Sequence, residues 1–80
     1  MNRYVATFHT HVAALLTART LGTAGTAARM APVPRKLSSS CGTCVLYEAD
    51  TPCLASMDAD VEAVYLCPAE GTYQRLYENR

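Results

Sequence analysis

Between positions 32 and 42 the chain reads Pro32-Val33-Pro34-Arg35-Lys36-Leu37-Ser38-Ser39-Ser40-Cys41-Gly42, a stretch that belongs neither inside a helix nor in a central strand. The prolines lack the amide hydrogen that a helix or a ladder needs, and three consecutive serines offer the backbone competing hydroxyl partners. Gly42 permits the tight turn that ends the run. The segment predicts an exposed loop over Arg35 to Gly42 that divides the chain, so the regular elements must lie in the two flanks.

On the N-terminal flank, Tyr4-Val5-Ala6-Thr7-Phe8 carries β-branched and aromatic residues and ends at a polar break, which predicts a strand. From Thr10, a good N-cap type, His11, Ala14, Leu15, Ala18 and Leu21 fall at helical spacing, and Gly25 stands where the helix can close in a left-handed turn. Gly22 predicts fraying in the last turn. Thr26 to Ala31, drawn into an extended path by Pro32-Val33-Pro34, predicts a second strand.

On the C-terminal flank, Cys44, Leu46 and Glu48 alternate with Val45 and Tyr47 as a third strand. Thr51-Pro52 resembles an N-cap and first helical position, and Leu54, Met57 and Val61 follow at i, i+3 and i+7, which predicts a second helix. Asp58, Asp60 and Glu62 would crowd its negative end and keep it short. Ala63 to Cys67 predicts a last core strand. Residues 68–80 form a polar tail whose Tyr73, Leu76 and Tyr77 either fold back on the sheet or meet another protein. This order predicts an α+β class: a single two-layer domain over residues 1–80, ferredoxin-like βαββαβ, with two helices on one face of an antiparallel sheet.

Such a sheet needs a core, and the apolar supply is thin. Half of the 80 residues are apolar, but thirteen are Ala, none is Ile or Trp, and only fifteen are Leu, Val or Phe. A domain of this size buries about 60 % of its unfolded surface, so modest stability follows, and self-association as a homodimer would add to it. Seven basic and seven acidic residues with a pI near 6.7 argue against nucleic acid or an anionic membrane as the main partner, since either needs a basic footprint. No apolar run approaches the roughly 20 residues of a membrane span. Val12 to Leu16, flanked by His9, His11 and Arg19, is too short and polar for a signal-peptide core, so a cytoplasmic protein with reduced Cys41, Cys44, Cys53 and Cys67 is expected. Cys53 and Cys67 read as small buried hydrophobes.

Cys41 reads differently. Two prolines restrict the loop on the way in and Gly42 turns it directly after the thiol. Arg35 and Lys36 carry the charge that stabilises a thiolate, and Ser hydroxyls and loop amides can donate to one. These residue types suit a cysteine that accepts a chalcogen or enters thiol exchange.

With those residues named, the chain resembles the family of small Se/S carrier-like proteins also known as the DUF3343 domain. The likeness spans most of the chain: the first strand leads through Phe8-His9 into an Ala-rich helix closed by Gly25. The most specific run is matched by Pro32-Val33-Pro34-Arg35 and Ser38-Ser39-Ser40-Cys41-Gly42. The resemblance implies a sulfur or selenium carrier with Cys41 as its persulfide or selenosulfide site, surrounded by Pro34, Arg35, Ser39, Ser40 and Gly42. It also implies a donor protein and an acceptor protein. Cys44 departs from the pattern, where an apolar strand residue is expected.

Other classes compete. Cys41-Gly42-Thr43-Cys44 has the C-x-x-C spacing of a thiol-disulfide oxidoreductase, with Cys41 attacking and Cys44 resolving, although here it enters a strand rather than opening a helix. Zinc or an iron–sulfur cluster would need a second close pair, which Cys53 and Cys67 do not supply, even with His9 and His11 in reserve. His9 and His11 read as a turn residue and a helix-start residue, with His9 placed near the Cys41 loop as a secondary reading; no acid or amide partner ties them to a Cys–His hydrolase. No glycine-rich phosphate loop follows a strand, so no cofactor is expected. The bland reading is an interaction domain with an idle Cys41, in which Arg35 and Lys36 meet an acidic partner.

Overall fold

The residues Tyr4 to Phe8 are all buried, and that follows from their place in the computed structural model, which describes residues 1–79. They belong to the strand Asn2–Phe8 (β1), the central member of a five-stranded antiparallel sheet. The chain continues through a helix, His11–Thr23 (α1), and the strands Ala27–Pro32 (β2), Thr43–Ala49 (β3), Val61–Ala69 (β4) and Thr72–Glu78 (β5). Across the sheet the order is β2-β3-β1-β4-β5. Strand β1 thus pairs with β3 on one side and with β4 on the other.

Alternation along β1 sends its side chains to two different clusters. Tyr4, Ala6 and Phe8 face α1 and meet Val45, Tyr47, Val61 and Val64, together with Ala13, Ala14 and Leu21 of the helix. The Tyr4 and Tyr47 rings stack there at 5.2 Å. Val5 points the other way, into a smaller cluster with Cys44, Ala63 and Tyr65. Val33 and Leu37 of the long β2–β3 loop cover part of that second face.

The helix begins and ends by the devices its sequence suggests. The Thr10 hydroxyl accepts from the Ala13 amide at 3.1 Å. At the other end Gly25 takes φ +86°, the Thr26 amide donates to the Leu21 carbonyl at 2.9 Å, and the last carbonyls are thereby satisfied. Gly22 does not stop the helix, which runs one residue past it to Thr23.

One expectation requires correction and one open alternative is decided. The second helix is only a three-residue 3-10 turn, Leu54–Ser56. The Thr51 hydroxyl accepts from the Cys53 amide at 3.4 Å, but the turn is capped by Cys53, not Thr51, and Cys53 turns left-handed at φ +54°, which breaks helical propagation. The Tyr47 hydroxyl holds the Pro52 carbonyl at 2.5 Å, and Val61 has already joined β4. The domain is therefore α+β with one helix, not two. The tail is the second case: residues 72–78 form β5, an edge strand paired with β4 through a turn whose Gly71 takes φ +77°.

Candidate functional site

The long loop between β2 and β3 wraps two faces of the sheet. It leaves Pro32, turns between Pro34 and Leu37 through the amide of Leu37 and the carbonyl of Pro34 at 3.0 Å, and rests Val33 and Leu37 on the second face. It then climbs to the end of the sheet where β1 finishes and β3 and β4 begin. Cys41 arrives there half-buried and packs against the helix-side cluster.

Three ties hold this part of the loop. The Val33 amide donates to the Gly42 carbonyl at 3.1 Å and closes the loop at its base, with Gly42 in the left-handed region at φ +75°. The Ser39 hydroxyl donates to the Phe8 carbonyl at 3.0 Å. Ser40 gives both its amide and its hydroxyl to Glu62, at 3.2 Å to Oε1 and 3.1 Å to Oε2. The Cys41 thiol donates to the Thr43 carbonyl at 3.5 Å, and its sulfur lies 4.0 Å from Ser39 Oγ. With the Ser39 proton given to Phe8 and the thiol proton to Thr43, no hydrogen lies between Ser39 Oγ and the sulfur.

Glu62 owes its position to an irregularity in the sheet. Thr7 pairs with Ala63 and Phe8 with Val61, so Glu62 is the extra residue of a bulge and its side chain is re-aimed off the ladder. It is buried, and it lies 3.9 Å from His9 Nδ1. His9 Nε2 in turn donates to the Asn79 carbonyl at 2.9 Å, while the Asn79 amide donates to the Glu62 carbonyl at 2.8 Å. On the helix side, His11 Nδ1 sits 3.3 Å from the Thr43 hydroxyl. The end of the sheet thus gathers Cys41, its serines, two imidazoles and one carboxylate.

Cys44 lies in different surroundings. It is wholly buried in the second cluster, and its thiol donates to the Pro32 carbonyl at 3.6 Å. Burial pushes that thiol up to about 11, against a weaker opposing pull from Arg29. Among the described residues all four cysteines are free. No three His, Cys, Asp or Glu side chains of the described residues converge as metal ligands would.

The residues singled out from sequence are therefore only partly assembled. Ser39, Ser40, Cys41 and Gly42 come together. Pro34 lines a groove of about 700 Å³ on the second face with Arg3, Val5, Arg29, Leu46 and Tyr73, and Arg35 is exposed on the neighbouring turn. Lys36, expected beside the thiol, donates to the Gly71 carbonyl at 2.7 Å, at the opposite end of β4 from Glu62. Glu62 itself was not singled out. A signal for it exists, because an acid set within Val61-Glu62-Ala63-Val64-Tyr65 is a charge inside a buried strand and calls for a partner.

No helix of the described residues is long and apolar enough to cross a membrane. Comparison with curated proteins and with solved structures finds no match. A family model does match, over residues 3–59, which include β1 through β3, the Cys41 loop and the 3-10 turn: the chain belongs to the family described as Putative Se/S carrier protein-like.

Proposed function

We propose that the protein carries sulfur or selenium on Cys41 between a donor protein and an acceptor protein. In the loading step the Cys41 sulfur attacks the terminal chalcogen of a donor persulfide or selenosulfide. A bond forms from Cys41 to that atom, the donor's own bond to it breaks, and the donor leaves as a thiol, so no external oxidant or reductant is consumed. Delivery repeats the exchange toward the acceptor. The observation that carries this reading is the contrast between two cysteines three residues apart. Cys41 is half-exposed on a loop tied at Ser39, Ser40 and Gly42, whereas Cys44 is wholly buried with a thiol that stays protonated. Family membership supports the same reading.

The test is intact mass spectrometry of protein purified without oxygen, before and after incubation with a cysteine desulfurase that carries a persulfide from cysteine or a selenosulfide from selenocysteine. The expected result is a gain of one chalcogen atom, absent from Cys41→Ser and retained by Cys44→Ala. Loading of Cys41→Ser would overturn the proposal. Loss of two hydrogens without a gain would instead favour a C-x-x-C dithiol, and an unchanged mass an interaction domain.

A further inference from the structure

We infer that Glu62 is a positioning residue for Cys41: its carboxylate latches the residue before the nucleophile and so fixes where the sulfur stands. This rests on the carrier reading of Cys41. Three observations lead to it.

The first is the cost of the carboxylate's location. An acid with 7 % of its side chain exposed is unfavourable unless hydrogen bonds replace water, and two of them here come from the loop that carries Cys41. The second is the fit. One oxygen takes the Ser40 amide and the other the Ser40 hydroxyl, so a single side chain occupies both donors of a single residue. Hydrogen bonds to a charged acceptor are about twice as strong as neutral ones. The third is location along the chain. Ser40 is latched immediately before Cys41, and Gly42 is tied to Val33 immediately after it, so the nucleophile hangs between two fixed points. His9 closes the arrangement from the turn after β1, its Nδ1 facing the same carboxylate at 3.9 Å.

Glu62 does not touch the sulfur in this arrangement; it acts through Ser40. Replacing it by Gln preserves shape but removes the charge: the amide oxygen still takes the Ser40 amide and the NH2 group meets the Ser40 oxygen, so the latch keeps two bonds that are neutral and weaker. Ser40→Ala removes the hydroxyl from the other side and leaves the fold's buried acid in place.

The experiment measures amide hydrogen exchange at Ser40 and site-resolved alkylation of Cys41 by iodoacetamide in wild type, Glu62→Gln, Ser40→Ala and the double variant. Donor-dependent loading is followed in parallel, and far-UV circular dichroism verifies folding. In Glu62→Gln the Ser40 amide should lose protection by about tenfold, the size of the charge assistance lost from one hydrogen bond, and the Cys41 alkylation rate should change. Ser40→Ala should change the Cys41 rate in wild type and change it by less in the Glu62→Gln background. Independent, additive effects of the two substitutions, or an unaltered Ser40 amide in folded Glu62→Gln, would overturn the latch. Exchange and alkylation need no donor, so coupling without loading in wild type would remove the carrier reading and leave the latch standing.

Discussion

Cys44 and Tyr47 are buried three positions apart on opposite faces of β3, and burial pushes both groups up, the thiol to about 11 and the phenol well above its ordinary range. The sign of the resulting pH dependence is fixed. A group that holds its proton more tightly in the folded than in the unfolded state contributes stability in full below its unfolded value and loses it as pH climbs through the folded one. For Cys44 that window runs from about 9 to about 11. Denaturant midpoints should therefore fall as pH rises from 9 to 11, and Cys44→Ala should flatten part of that fall; an identical slope in the variant would exclude Cys44 as its source. The same residue shows how far single positions could be read in advance. Cys41 and its serines were legible because proline, serine and glycine have local, chain-bound meanings. Glu62 was not, because its role depends on a bulge that pairs β1 with β4 across more than fifty positions. Lys36 was misplaced for the converse reason: nearness in sequence said nothing of a turn that carries the ammonium away to Gly71.

Elements were legible where capping chemistry and periodicity agree. In α1 the Thr10 cap and the Gly25 closure point to one helix, and of the residues at helical spacing Ala14 and Leu21 are buried, whereas His11 is exposed and Leu15 stays 40 % exposed. Thr10→Ala should cost about 1 kcal/mol by urea denaturation, since it leaves the Ala13 amide without its side-chain acceptor. The failed second helix teaches the opposite lesson. Leu54, Met57 and Val61 repeat at helical spacing, but spacing carries no information about the left-handed Cys53 or about the Asp58 amide, which is taken by the Thr17 hydroxyl of α1 at 3.0 Å. Tertiary partners claimed the segment before a second turn could form. β5 was half-legible: Tyr73 and Tyr77 are strand formers and Glu70-Gly71 is turn chemistry, yet an edge strand exposed along nearly its whole length lacks the apolar alternation that announces a strand.

At the scale of the whole molecule, one helix must cover a five-stranded sheet. α1 lies over β1, β2 and β3 and touches the 3-10 turn, while Leu54, Leu76 and Tyr77 are exposed. Few large side chains therefore carry the core, and Leu21, Phe8, Val45 and Val64 are the largest apolar ones fully enclosed. Leu21→Ala should cost about 3 kcal/mol and lower Tm by roughly 12–24 °C in calorimetry, because each kcal/mol moves a domain of this size by roughly 4–8 °C. Leu54→Ala, at 44 % exposure, should shift Tm by only a few degrees.

The separation of Cys41 from Cys44, one thiol against the helix-side cluster and the other sealed on the second face, bears on how long a cargo lasts. An adjacent free thiol is a short circuit for a persulfide: it attacks the inner sulfur, closes an internal disulfide and expels the outer atom as hydrogen sulfide or selenide. A protonated Cys44 walled off in the sheet is a poor attacker of this kind. In a carrier, the C-x-x-C spacing then describes insulation, and the loaded protein keeps its atom until another protein collects it.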